Sequence, residues 1–193
     1  MVWTLRGITG EGGEIPEIAG QCSGRLLVCG CGPGLWRDMA LAQGRFDAIM
    51  AVNDAIALIP QPLTHAASVE HRLLGHWAGI RGRRQRSRFL THCPRPAPGV
   101  DHVWRLGTGL GGTSALFAAL VGLCLGYGSV LLAGVPLSNG GHFWGPPAEV
   151  SRHDDACVRK VWRETALHVP EFRERVRSLS GWTRDLLGDG VAA

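Results

Sequence analysis

The stretch LLVCGCGPGLWRDM, Leu26 to Met39, places an apolar run before a glycine-rich turn and a helix-forming segment after it. A short apolar run of this kind is typical of a buried strand, and glycine adopts the backbone angles that a tight turn requires. The stretch therefore predicts a strand, a turn and a helix in succession. The turn, Gly30 to Gly34, admits four interpretations: a phosphate cradle, a methyl-donor site, a thiol metal site or a simple tight turn.

The cysteine spacing argues against the metal site. Cys29 and Cys31 flank one residue, so on a strand both side chains would point to the same face. Zinc sites normally separate paired thiols by more than one residue and add a second pair, which this chain lacks. We therefore expect no metal at the turn. The six cysteines should be reduced, and no signal-peptide pattern opens the chain, so a cytoplasmic location is predicted.

The composition indicates one globular domain. A chain of 193 residues can bury a substantial core, and 28 glycines point to several turns. The net charge of +4 is small, and much of it lies in the run RGRRQRSR, Arg81 to Arg88. A solvated loop or helix face is the favoured interpretation of this run, with a phosphate or nucleic-acid patch as the alternative. Because no aromatic residue interleaves with these arginines, nucleic acid is not an expected partner.

The longest uncharged stretch could span a membrane by length alone. No Asp, Glu, Lys or Arg occurs from Leu106 to Ala148. The motif Gly126-Tyr127-Gly128-Ser129 divides its apolar centre into an Ala/Leu-rich helix and the strand VLLAGV. A helix and a strand inside an α/β core account for the missing charge, so no membrane span is predicted.

Strand-like and helix-like segments alternate along the chain, which favours a doubly wound, mostly parallel, Rossmann-like sheet. Charged helical patterns at 149–169 and 171–187 predict a helical C-terminal tail. The chain divides into an irregular arm (1–24), a Rossmann-like nucleotide-binding core (25–148) and a helical segment packed on that core (149–193). The predicted strands are 25–30, 47–53, 65–69, 88–93, 102–106 and 129–135, and the predicted helices before the tail are 35–43, 72–80 and the apolar segment after 107–112.

Candidate ligand-binding residues follow the predicted strands. In an open parallel sheet, ligands bind beyond the carboxyl ends of the strands, where the glycine turn, Asn53-Asp54, Glu70-His71 and the loop after Val135 should meet. An acidic residue about 20 positions after such a turn, here Asp54, would hold a ribose hydroxyl of a dinucleotide. The dinucleotide fingerprint needs its third glycine one place later than in this chain, so NAD is less favoured.

The turn GCGPG resembles that of class I S-adenosylmethionine-dependent methyltransferases, which implies a methyl donor. A second resemblance lies in GGTSALFAALVGLCLGYGSVLLAGVPL, residues 111–137. It is similar to a signature of the flagellin-glycosylation motility accessory factors, the archaeal 6-hydroxymethylpterin diphosphokinase-like proteins and the bacterial sialyltransferases. The segments GCGPGL and AVNDA match, in order, the ends of the first two strands in those families. The resemblance, over residues 25–145, implies a Rossmann-like fold that binds a nucleotide or a nucleotide-activated group.

The resemblance also implies roles for individual residues. The glycine turn would contact the ligand through its backbone, Asn53 would contact a base or ribose, and the start of the apolar helix would hold phosphate or ribose oxygens. At Pro136 these families usually have an aspartate. The candidate cofactor-binding residues are Gly30, Gly32, Pro33, Gly34, Asn53, Asp54, Thr113 and Ser114.

Three histidines are candidate general bases, because an imidazole titrates near neutral pH. His142 ranks first because its loop, SNGGHFWG, should lie at the ligand edge. His71 ranks second and His153 third. Asp154 and Asp155 could hold Mg²⁺ on a diphosphate or could simply stabilise the start of a helix.

These features predict a nucleotide- or nucleotide-sugar-binding protein, favoured as a glycosyl- or diphospho-transferase. A small-molecule nucleotide is the expected partner, and Mg²⁺ and a homo-oligomer are left open. Two alternatives also stay open. A methyltransferase would be favoured by a pocket that reaches Asp54 rather than Ser114, and a non-catalytic accessory or assembly protein is favoured by Pro136.

Overall fold

The computed structural model describes residues 15–106, 113–138, 141–144 and 155–191. The strands in these residues are β1 (Arg25–Cys29), β2 (Ala48–Val52), β3 (His65–Ala67), β4 (Leu90–Cys93), β5 (His102–Val103), β6 (Ser129–Ala133) and β7 (Val176–Ser178). The helices are α1 (Leu35–Ala42), α2 (Ala55–Leu58), α3 (His71–Gly82), α4 (Ser114–Leu125), α5 (Asp155–His168), α6 (Pro170–Arg175) and α7 (Gly181–Leu187).

The described strands form one sheet in the order β5-β4-β3-β2-β1-β6-β7, and all neighbouring pairs are parallel. This confirms the predicted doubly wound α/β fold. Side chains of β1 alternate between two apolar layers, with Leu26 and Val28 on one face and Leu27 and Cys29 on the other. Helices α4 and α5 cover the first face, and α1, α2 and α3 cover the second. Burial on both faces explains why the three central strands, β1, β2 and β6, are almost entirely apolar.

The uncharged stretch forms a core helix and a core strand, as its sequence predicts. Helix α4 is almost entirely buried, and the Oγ1 of Thr113 accepts a hydrogen bond from the Leu116 backbone N–H at 3.3 Å at its start. It ends at Gly126, whose φ of 106° lies in the left-handed region. Within the described residues, no helix is both long and apolar enough to cross a bilayer.

The C-terminal segment differs from the prediction. Residues 171–187 were expected to form one helix, but they form parts of α6, β7 and α7. Strand β7 pairs with β6, and the residues on either side of Arg177 are buried. The charged sequence EFRER favours a helix. The short alternation of apolar and polar residues after it favours a strand, which pairs with the exposed edge of β6.

The arginine run is partly structural rather than a fully solvated face. Arg81 is buried, and its guanidinium donates to the backbone carbonyls of Ile59, at 2.5 Å, and of Gln61. Arg84 donates to the Ala57 carbonyl at 3.0 Å. These arginines therefore fasten the loop after α2 to the end of α3.

A chain of buried hydrogen bonds links four aromatic side chains. The Trp104 indole N–H donates to His92 Nδ1 at 3.0 Å, His92 Nε2 lies 2.9 Å from His65 Nδ1, and His65 Nε2 lies 2.9 Å from the Tyr127 hydroxyl. An indole can only donate, so this direction places the proton of both neutral imidazoles on Nε2. Burial lowers the pKa of His65 to about 4 and holds the pKa of His92 well below its usual range.

We expect this chain of buried hydrogen bonds to make the fold sensitive to acid. A histidine with a lowered folded-state pKa stabilises the fold above its unfolded pKa, and that contribution is lost as the pH falls towards the folded value. For His65, the free energy of unfolding should fall by about 3 kcal/mol between pH 6.5 and pH 4. Urea unfolding at a series of pH values measures this loss. His65→Gln should flatten the dependence of the unfolding free energy on pH. His76→Gln should not, because His76 is exposed. Equal pH dependence in the two variants would contradict the role assigned to His65.

Candidate functional site

A cleft of about 390 Å³ opens beyond the carboxyl ends of β1 and β6. The strand order reverses at this point. Strands β2 to β5 lie on one side of β1, whereas β6 and β7 lie on its other side. In open parallel sheets such a switch point is where ligands bind. The predicted site residues that line the cleft are Gly30, Gly32, Asn53, Thr113, Ser114 and His142.

The glycine turn packs directly against the segment after β6. The backbone N–H of Gly30 donates to the Ala133 carbonyl at 2.8 Å, and that of Gly32 donates to the Gly134 carbonyl at 2.7 Å. A Cβ at Gly30 would lie 2.5 Å from the Gly134 oxygen, and one at Gly32 would lie 2.4 Å from Pro136 Cδ. The close approach of two backbone segments therefore requires both glycines, and both of their N–H groups already have partners.

A buried carboxylate occupies the start of α1. Asp38 lies in its first turn with no solvent exposure. Its Oδ2 accepts hydrogen bonds from the Gly134 backbone N–H at 2.9 Å and from the Ser180 hydroxyl at 2.6 Å. The positive end of this helix therefore faces an acidic side chain of the protein itself.

Asn53 lines the cleft and is held by a hydrogen bond to its side-chain oxygen. The Ser68 hydroxyl accepts the Glu70 backbone N–H at 2.9 Å and donates to Asn53 Oδ1 at 2.7 Å. Within the described residues the Asn53 amide nitrogen has no partner, so it is the part of the side chain that a ligand can use. Asn53 and Leu137, with φ of 54° and 46°, are the described non-glycine residues in the left-handed region, and both line the cleft. Backbone strain of this kind clusters at functional sites.

The start of α4 supplies two hydroxyls. Thr113 caps the helix, and the buried Ser114 accepts a hydrogen bond from the Val69 backbone N–H at 3.1 Å. Within the described residues neither hydroxyl donates a hydrogen bond, so each has a proton to offer a ligand. Together with the positive end of a 12-residue helix, these donors suit an anionic group of the ligand.

Other predicted site residues lie elsewhere. Pro33, Gly34, Asp54 and His71 are not part of the cleft lining. Asp54 instead accepts a hydrogen bond from the Trp77 indole at 3.0 Å, and His71 begins α3. His153 and Asp154 lie outside the described residues, as does the side chain of Asp155.

The cleft also contains residues that were not among the predicted binding or catalytic residues. Cys31 donates from its thiol to the Val52 carbonyl at 3.4 Å, and burial raises its pKa to about 12, so the thiol stays protonated. Cys157 and two valines of α5 also line the cleft. Within the described residues, no group of three or more His, Cys, Asp or Glu side chains could hold a metal ion.

Comparison with known proteins identifies the fold. No family model and no curated protein matches the sequence. Among solved structures, the chain is similar to the sialyltransferase CstII from Campylobacter jejuni in complex with a substrate analogue, cytidine-5'-monophosphate. The TM-score is 0.60 at 11% identity, covering 86% of this chain and 84% of that chain.

The fold is sialyltransferase-like. A sequence identity of 11% shows only that the two chains share a fold. The similarity therefore supports the sialyltransferase part of the sequence resemblance, whereas nothing in these comparisons supports the motility-factor, pterin-diphosphokinase or methyltransferase resemblances.

Two of the three glycines of the turn, Gly32 and Gly34, should differ sharply in their tolerance of a side chain. Gly32→Ala should lower the free energy of unfolding by about 1 to 3 kcal/mol, because the new methyl group overlaps the segment after β6. Gly34→Ala is the matched control, because its Cβ would lie no closer than 3.6 Å to a neighbour. Denaturant unfolding of both variants measures the difference. Equal stability of the two would show that the glycine turn is not confined by the β6 segment.

Proposed function

We propose that the cleft binds a nucleotide or nucleotide-sugar and that the protein is a transferase of the glycosyltransferase type. The observation that carries this proposal is the convergence of the Asn53 amide and the start of α4 on one cleft at the switch point of the sheet. The fold is shared with a sialyltransferase studied with cytidine-5'-monophosphate, and that likeness at the level of the fold supports the choice of ligand class.

The donors of the cleft suggest how the ligand is held. The phosphate lies at the start of α4, where the Thr113 and Ser114 hydroxyls and the positive end of the helix stabilise negative charge. The Asn53 amide nitrogen donates to an acceptor atom of the base or ribose. Stabilisation of the leaving phosphate by fixed dipoles is the main contribution that this geometry can make to transfer.

His142 is the proposed general base. It lines the cleft and is exposed, so it can reach both a bound donor and an incoming hydroxyl. Its ring stacks on Trp144 at a centroid distance of 4.6 Å and an interplanar angle of 5°, which restricts its orientation.

Methyl transfer receives less support from the geometry. Ser114 lines the cleft, whereas Asp54 does not and is hydrogen-bonded to Trp77. A methyl donor would need an acidic partner for its ribose hydroxyls, and the described lining offers only Glu70, after β3.

A thermal-shift screen tests the ligand class. It includes CMP, CMP-sialic acid, UDP- and GDP-sugars, ATP with Mg²⁺, NAD and S-adenosylmethionine. A ligand at about 100 times its dissociation constant stabilises the native state by about 2.7 kcal/mol, which gives a clear shift. A response to S-adenosylmethionine alone would replace the proposal with methyl transfer, and no response to any compound would favour an accessory protein that retains the fold.

Variants of two adjacent residues locate the nucleotide. Asn53→Asp keeps an acceptor for Ser68 and tolerates the left-handed backbone, but it replaces the donor that faces the cleft with an acceptor. We expect the dissociation constant of the nucleotide found in the screen to rise by about tenfold or more in calorimetric titration. Asp54→Asn is the control, because its amide oxygen can still accept from Trp77, and it should bind as the wild type does. Equal weakening by both variants would place the ligand elsewhere.

His142→Gln tests the base. Donor binding should stay within about twofold of wild type, while the rate of transfer should fall by about a hundredfold or more, since general base catalysis contributes at least that much. Rapid-quench measurement with saturating donor separates the two effects. A variant that transfers at the wild-type rate would remove His142 from the mechanism.

A further inference from the structure

A row of aromatic side chains leads away from the cleft. His142 lines the cleft and stacks on Trp144. Phe143 lies perpendicular to Trp144, at a centroid distance of 4.7 Å, and nearly perpendicular to Trp36, at 5.1 Å. We call these four residues, His142, Trp144, Phe143 and Trp36, the aromatic ladder.

The ladder is held in place but remains open to solvent. The Phe143 backbone N–H donates to the Cys31 carbonyl at 3.0 Å, which fixes the ladder to the glycine turn. Trp36 and Trp144 are nevertheless 44% and 47% exposed. Indoles that are already ordered lose little conformational entropy on binding, so exposed and fixed aromatic rings beside a cleft make an efficient contact surface.

The ladder and the nucleotide donors lie on opposite faces of the sheet. Ala115, next to the Thr113 and Ser114 hydroxyls, packs in the layer of α4, whereas Phe143 packs in the layer of α1. His142, which lines the cleft, connects the two sides. The ladder is therefore a contact surface apart from the nucleotide donors.

The surroundings of the ladder favour a neutral ring over an anion. Trp36 is the second residue of α1, whose first turn contains the buried carboxylate of Asp38, and the neighbouring Arg37 guanidinium lies 3.5 Å from that carboxylate. A ligand that lies flat on an indole and extends to His142 needs one apolar face and a rim of hydroxyls. A pyranose ring has both.

We propose that the aromatic ladder binds a pyranose ring of the accepting substrate and directs one of its hydroxyls to His142. The assignment of this ring as an acceptor rests on the proposed transferase function, but its binding to the ladder does not. The ring lies against Trp36 and Trp144. Its hydroxyl loses a proton to His142 while the hydroxyl oxygen forms a bond to the transferred sugar. The bond from that sugar to the nucleotide phosphate breaks, and the nucleotide leaves with the bonding electron pair.

The test follows the indole N–H signals of ¹⁵N-labelled protein during titration with methyl β-galactopyranoside, methyl β-glucopyranoside and methyl α-mannopyranoside, each with and without the nucleotide from the screen. The chain has seven tryptophans, and Trp36→Phe and Trp144→Phe assign the ladder signals by removing one each. At least one glycoside should shift the Trp36 and Trp144 signals. Trp36→Ala and Trp144→Ala should weaken its binding by about tenfold and leave nucleotide affinity unchanged.

Leu41→Ala is the matched control, since Leu41 lies on the same helix and is 45% exposed. It should bind the glycoside as the wild type does. Nucleotide binding with no glycoside response at the ladder, or a response that Trp36→Ala leaves intact, overturns the ladder site while the proposed function stands. Glycoside binding at the ladder with no nucleotide binding supports the site and overturns the proposed function.

Discussion

The buried carboxylate of Asp38 connects helix α1, the segment after β6 and the segment after β7. A carboxylate without solvent contact is costly unless hydrogen bonds replace its water. Here Oδ2 accepts from Gly134, just after β6, and from Ser180, just after β7. The first turn of α1 adds the favourable field of the helix end. One side chain therefore fixes the position of α1, of the β6 segment and of the C-terminal segment relative to each other.

The wall of the cleft after β6 is consequently a packed structure rather than a free loop. The glycine turn contacts it on one side, and on the other a Cβ at Gly181 would lie 2.4 Å from Pro136 Cβ. Arg159 donates to the Leu137 carbonyl at 2.8 Å, and its guanidinium lies 5.4 Å from the centre of the Trp182 ring. These contacts hold the left-handed backbone of Leu137. A wall fixed in this way positions its groups before any ligand arrives, which is the form of preorganisation that electrostatic catalysis requires.

The sequence predicted the features that depend on neighbouring residues. Apolar runs and glycines located six of the seven described strands and placed Asn53 at the carboxyl edge of the sheet, and the family resemblance pointed to Ser114. It missed β7, because the charges before Val176 favour a helix and only pairing with β6 selects a strand. It also missed the Asp38 contacts, which join residues 96 and 142 positions apart. Nor could it tell that Asn53 faces the cleft while Asp54 turns to Trp77, because that depends on the backbone angles after β2.

The two helices that begin at the cleft differ in what they can hold. The glycine turn before α1 has the pattern of a phosphate cradle, but its Gly30 and Gly32 N–H groups bind the β6 segment and the helix start faces Asp38. A phosphate there would meet a buried acidic side chain, and the Gly30 and Gly32 N–H groups would not be available to it. Helix α4 begins instead with the neutral hydroxyls of Thr113 and Ser114. Under the proposed function, charge therefore separates the two sides of the site, and the anionic group is expected at α4 and the neutral ring at α1. The glycine turn serves to bring the two sides together.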